Sequence, residues 1–383
     1  MVKRMCDDSP IAAEPQSPRQ NVRAIRDFPD YALRPVRTAF GWLEEIDPGT
    51  HRRIKGLRLV TAFGIAAMLG SMQQITHGMS NDSSLSSLAG GFTLWASVSE
   101  GRTSRADSSR DLLLLCAAAT LGAAAMIVLT PLLSGPGRPG PELTLATGAF
   151  LVGYLKRFGI LGAGIGSQIY IGELLAYGAR LVPADLWTVV VAGLIAALAA
   201  IVPRVLSGPA ERPVLAAAPL PVACPRALSP ELVMGLQAAI AALVIVALND
   251  TIGMEQSAWA ITACTYVIAG SAAGTIDRVR QRIIGTLIGV PLGIVCLPVA
   301  MHFPLLIWGT AAVAMVIYAM ALPERYDIAC AAFAFALIVT LAVNGVHSTL
   351  VLSARIWETL IGATLGLATA KLVFPLRVLR SDG

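Results

Sequence analysis

The chain has 383 residues, 55% of them hydrophobic and only 14% charged, and its mean hydropathy of +0.69 is that of a bilayer protein rather than a soluble one. The net charge of +5 lies in short tufts between apolar runs, without the continuous basic face that a nucleic-acid partner requires. Cys6, Cys116, Cys224, Cys264, Cys296 and Cys330 show no Cys-x-x-Cys spacing, which argues against a disulfide framework and against zinc.

Residues 1–56 form a polar, arginine-dotted lead that is expected to be a cytoplasmic tail with no cleavable signal. Its last part mixes Phe40, Trp42 and Leu43 with Arg34 and Arg37, which fits either a short helix on the membrane surface or a solvated linker. Apolar segments long enough to cross a bilayer, about 20 residues each, then follow. They are expected near 57–76, 85–100, 111–133, 141–157, 159–179 and 183–206, and again near 230–249, 257–275, 282–302, 304–322, 327–345 and 355–376. The second is the weakest, being interrupted by Ser97, Ser99 and Glu100. The Pro- and Ala-rich stretch 207–229 joins the two sets as a cytoplasmic linker, and 377–383 is a short cytoplasmic tail.

Three landmarks recur in the same order about 170 residues apart. Thr103 and Arg110 align with Thr275 and Arg282, Lys156-Arg157-Phe158 with Glu324-Arg325-Tyr326, and Leu186-Trp187 with Ile356-Trp357. The chain is therefore expected to be an all-α membrane protein of about twelve spans in two six-helix repeats. Of the 29 Lys and Arg residues, only Arg138, Arg180 and Arg355 fall on the proposed outer side, which puts both termini in the cytoplasm. With an even number of spans in each repeat, the two run in the same sense, related by a pseudo-twofold along the membrane normal.

The tract Thr275 to Gly293 concentrates these features. Arg278, Arg280 and Arg282 precede an apolar helix with Gly285, Gly289 and Gly293 on one face, a pattern for close helix packing and, alternatively, for lining a path. With Ser257-Ala258-Trp259-Ala260-Ile261-Thr262 and Arg282-Ile283-Ile284-Gly285-Thr286-Leu287-Ile288-Gly289, it resembles the fusaric acid resistance (FUSC-like) family of bacterial inner-membrane permeases, which includes aromatic acid exporters. Asp47-Pro48-Gly49 before the first span is also similar. The likeness is best over residues 230–376 and degenerate over the first repeat, where Leu113-Leu114 replace Gly285-Thr286. Long family members carry a cytoplasmic domain between the halves, where this chain has only its linker. Plant aluminium-activated malate transporters look like distant relatives, built as dimers of one six-helix unit. The resemblance implies a proton-driven export of small organic, aromatic acids across the bacterial inner membrane, with a periplasmic adaptor as a candidate partner. A passive organic-anion channel and a non-transporting membrane scaffold are the alternatives.

Ionisable groups inside a bilayer are functional suspects. Glu173 lies about 21 Å along its helix, with Ser167 and Gln168 below it. It is either a proton-coupling carboxylate or one hydrogen-bonded near the outer interface. Arg110, Arg282, Arg157 and Arg325 are repeat mates that would ring the seam and bind a carboxylate two-pronged, or would serve as inner-face anchors. Thr275, within the resembling tract, completes the candidate transport set. His77, His302 and His347 fall near outer loops. Trp187, Trp259 and Trp357 suit the interfacial aromatic belt or stacking on an aromatic substrate. No phosphate loop, His-Glu-x-x-His or Gly-x-Ser-x-Gly motif is present, so neither enzyme activity nor a cofactor is expected.

Overall fold

A computed structural model describes Asp47 and residues 51–72, 75, 82–101, 104–135, 138, 140–207, 228–254, 257–322, 324–343, 345 and 348–375. Among these residues the fold is entirely helical. The helices are α1 (His51–Gly70), α2 (Asp82–Ser99), α3 (Arg105–Leu133), α4 (Leu143–Tyr154), α5 (Gly159–Gly178), α6 (Leu186–Leu206), α7 (Pro230–Ile252), α8 (Ser257–Val267), α9 (Ala272–Val295), α10 (Leu297–His302), α11 (Pro304–Ala321), α12 (Tyr326–Val343) and α13 (Thr349–Leu372). Six helical stretches are long and apolar enough to cross a membrane: 105–133, 143–178, 183–206, 230–249, 326–343 and 349–372. The shorter 305–321 is also apolar.

Serine side chains start several helices. Ser104 Oγ accepts from Asp107 N before α3, and Ser271 Oγ from Gly274 N before α9, both at 3.1 Å. Each satisfies one of the four amide donors that a helix start leaves open. Ser271 also accounts for the largest departure from the sequence expectation. A span over 257–275 and another from 282 give way to α8, only 11 residues long, and to α9, which begins at Ala272. Gly270-Ser271 breaks the run, so Arg282 sits near the middle of a helix rather than at its start. At about 1.5 Å per residue, α8 and the 12-residue α4 are each too short to cross the roughly 30 Å hydrocarbon layer alone. The tail 1–46, the linker 208–227, His77 and His347 lie outside the described residues.

Exposed apolar side chains take the place a soluble protein gives to charge. Leu113, Leu121, Val128 and Leu132 of α3 are all exposed and fall on one helical face, while Leu112, Leu115, Ala119, Ala123 and Met126 are buried. Packing is pairwise. In the first half α1 packs on α2 and α6, α2 on α6, α3 on α5 and α6, and α4 on α5. In the second half α7 packs on α8 and α13, α8 on α13, α9 on α12 and α13, and α11 on α12. Across the halves, α1 packs on α11 and α4 on α7, and α4 also meets α8.

Close approach decides these contacts. A Cβ on Gly172 would run into the carbonyl of Ala119 across α5 and α3, and one on Gly289 into the carbonyl of Ala331 across α9 and α12. Gly362 lies likewise on the Ala260 carbonyl across α13 and α8, and Gly153 on Gly235 across α4 and α7. Where the solvent is lipid, helix association depends on such backbone proximity and packing. Gly172→Ala and Gly289→Ala are each expected to destabilise the protein by about 1–3 kcal/mol through overpacking. Gly309→Ala, with open space around it, is expected to leave the melting temperature in detergent unchanged or raised.

Candidate functional site

The two short helices, α4 and α8, pack on each other, and the polar side chains of α5 line the same region. Tyr170 and Thr262 share a hydroxyl hydrogen bond of 2.7 Å, and so do Ser167 and Tyr266, each joining α5 to α8. The rings of Tyr170 and Tyr266 meet edge to face at 6.0 Å. Gln168 donates to Ser99 Oγ at 3.1 Å, tying α5 to the end of α2. Beyond them, Glu142 at the start of α4 accepts from Tyr177 of α5 at 2.7 Å and from Asn249 of α7 at 3.4 Å. Groups from both halves of the chain thus satisfy one another, as buried polar atoms must.

Glu173 is 2% exposed and stands between the Tyr170 and Tyr177 levels of this ladder. Its Oε1 is 3.5 Å from Thr147 Oγ1 of α4. Its Oε2 occupies the space that a Cβ at Gly148 would need and has no hydrogen-bond partner. Only glycine at 148 leaves room for the carboxyl. The helix packing therefore keeps a place for an acid inside the bundle, where an isolated charge is costly.

A second centre surrounds Arg282. Its Nη1 donates to the Tyr326 hydroxyl at 3.1 Å, and its buried Nε has no acceptor. Tyr318 and Cys330 lie within its electrostatic reach, as does Tyr266 of the first centre. Aromatic rings continue from there: Tyr318 and Trp95 are 6.1 Å apart at 86°, and Trp95 and Phe333 5.3 Å apart at 65°. One guanidinium among aromatic rings suits an aromatic carboxylate.

The remaining candidates lie elsewhere. Arg110 is exposed on the second turn of α3. Arg157, also exposed, stacks against the rings of Tyr154 and Phe158 and donates to the Tyr154 hydroxyl at 2.7 Å. Arg325 pairs with Asp327 at 2.9 Å in the turn before α12. Thr275 is fully buried; its Oγ1 donates to the Ser271 carbonyl at 2.9 Å and accepts from Ala269 N at 3.1 Å. It thereby fastens the break between α8 and α9. In the preceding turn, Arg52 of α1 pairs with Glu324 and holds that carboxyl below the usual glutamate range. The bridge persists at neutral pH and is lost as pH falls through the lowered value, though its exposure to water keeps its contribution small.

Two buried ionic groupings were not anticipated. At one end of the first half, Lys55 and Arg58 of α1, Glu100 after α2 and Arg204 of α6 line a small cavity. Lys55 Nζ donates to the Glu100 carbonyl at 2.8 Å, and Arg204 Nε to Ser108 Oγ at 2.7 Å. In the second half, Arg355 and Glu358 of α13 are both buried. The signal for each was a charged residue inside or beside an apolar run.

An all-helical bundle with six membrane-length stretches, apolar outward faces and ionisable groups held within it is a multi-pass membrane protein. Residues 234–369, from α7 to α13, match the family model described as fusaric acid resistance protein-like, the stretch over which the sequence resemblance is best. That family is one of membrane transport and resistance proteins. Neither a curated protein nor a solved structure matches the chain.

Arg204 is 2% exposed, and Arg204→Leu strips Ser108 of a buried donor and Glu100 of one of the cations that share its cavity. The variant is expected to lose about 3–5 kcal/mol, seen as a lower melting temperature in detergent with no requirement for a transport assay.

Proposed function

We propose that the chain is a permease of the bacterial inner membrane that exports small organic acids, aromatic ones among them, driven by the proton gradient. The observation that carries this reading is Glu173, a carboxyl buried where the short helices α4 and α8 meet, one hydroxyl ladder away from Arg282 and its aromatic neighbours. Discontinuous helices are where transporters place substrate and coupling-ion sites. Arg282 is the group that receives the substrate carboxylate, and Glu173 the group that carries the proton. Arg110, Arg157 and Arg325 draw the anion toward the cytoplasmic mouth, and Thr275 holds the α8–α9 break in shape for Arg282.

The same reading takes 57–206 and 230–376 as two co-oriented six-helix repeats, with the six-residue α10 as an extra element. The tail 1–56, the linker 207–229 and the end 377–383 are then cytoplasmic. The packing pairs support it. Each of α1·α2, α1·α6, α2·α6, α3·α5, α3·α6 and α4·α5 has its counterpart in the second half, in turn α7·α8, α7·α13, α8·α13, α9·α12, α9·α13 and α11·α12. Two of the contacts between halves, α1·α11 and α4·α7, are exchanged by the same correspondence, as a twofold requires.

Purified protein in liposomes loaded with labelled benzoate tests the proposal. Efflux is expected to rise several-fold when an inward proton gradient is imposed. Efflux indifferent to the gradient would make the protein a passive channel, and no efflux would leave a scaffold. Arg282→Gln is expected to lower flux by about tenfold or more, the cost of a lost charge-assisted contact, with membrane insertion intact. Glu173→Gln is expected to retain flux down a substrate gradient and lose its response to pH. A response equal to that of the parent protein would remove Glu173 from the coupling step.

A further inference from the structure

Arg355 is the one arginine of the proposed outer side that the structure buries: it is 6% exposed, within α13. Its guanidinium carbon lies 3.5 Å from the ring centroid of Trp259 on α8, close enough for face-on stacking. Its Nε and Nη1 are buried and have no hydrogen-bond partner. A buried guanidinium ordinarily spends its donors on carboxylates or carbonyls, because leaving them unmet costs about 1–3 kcal/mol or more. Trp259 is only half-buried, and the guanidinium covers one face of its indole. The backbone around it is tight, since Gly362, two turns along α13, touches the Ala260 carbonyl. That contact holds α13 and α8 together and fixes Arg355 over Trp259.

We propose that Arg355 and Trp259 form a second binding station, for an aromatic monocarboxylate, distinct from the one at Arg282. The carboxylate takes the unmet Nε and Nη1 donors, and the aromatic ring lies along the indole. Glu358, buried one turn along α13, offsets the charge of Arg355, while Nε and Nη1 are left for the ligand. A positive-inside anchor would sit at the other end of the bundle, and a belt tryptophan would not have its face covered by a buried charge. The station rests on the export reading only for its place on the route. As a binding site it stands on the two helices alone.

Calorimetric titration of the detergent-solubilised full chain with benzoate is expected to show two sites. Arg355→Gln is expected to remove one of them, or to weaken it at least tenfold, and Arg282→Gln to remove the other. Arg355→Lys keeps the charge but not the planar donors, and is expected to behave as Arg355→Gln does. Trp259→Leu is expected to weaken the same site several-fold for benzoate, and less for cyclohexanecarboxylate. Photolabelling of the parent protein with a diazirine-bearing benzoate needs no variant, and is expected to mark peptides of α8 and α13. The inference is overturned if only one site titrates and Arg282→Gln abolishes it, if Arg355→Gln binds as the parent does, or if labelling spares both helices. Loss of flux with both sites still titrating would overturn the export reading and leave this station standing.

Discussion

Backbone brought against backbone is the constraint from which the rest of this structure follows. Lipid offers no hydrophobic reward for pushing two apolar helices together, so α3 and α5, α9 and α12, and α8 and α13 associate through glycines that rest on the carbonyls of Ala119, Ala331 and Ala260. At such separations even a methyl group has no place. The close pairs then form rigid walls, and polar side chains can be held between them at hydrogen-bonding distance without water. Glu173 shows the dependence most directly, because its carboxyl fills the volume that Gly148 leaves open.

Polar contacts supply what apolar packing cannot, a preference for one arrangement of the halves. Tyr170 with Thr262, Ser167 with Tyr266, and Glu142 between Tyr177 and Asn249 each join a residue of the first half to one of the second. A slip of one helical turn would leave several of these groups unmet in a medium that cannot solvate them. The seam between the halves is therefore specified by hydroxyls and one carboxylate, while the interiors of the halves are specified by alanine and glycine. Within the second half, Arg282 and Arg355 each keep a buried nitrogen that no hydrogen bond satisfies.

Much of this could be read from residue order. Apolar runs marked the long helices. Glu173 stood out as an acid in an apolar run, and the structure buries it. What residue order concealed has a common cause: hydropathy averages along the chain and cannot see around a helix. Ser271 and Thr275 lie in a stretch apolar enough to pass for continuous span, yet their hydroxyls close a break that halves α8. Arg355 lies near a helix start, so a count of charges along the chain put it on the outer side. Its facing of α8 emerges only once α13 is laid against that helix. Tyr266 and Tyr170 pass as ordinary apolar-helix residues until their hydroxyls are seen to meet partners.

The connection between α4 and α5 is a four-residue 3-10 turn, Leu155–Phe158, closed by Gly159 at φ 74°. Such a link has no slack to absorb relative motion. Because α4 touches the second half through Gly153 on Gly235 and α5 bears the buried acid, any sliding along that glycine contact drags Glu173 with it. The hairpin is a lever whose fulcrum is a pair of side-chain-free residues, so the position of one carboxyl reports mechanically on how the two halves of the molecule are seated.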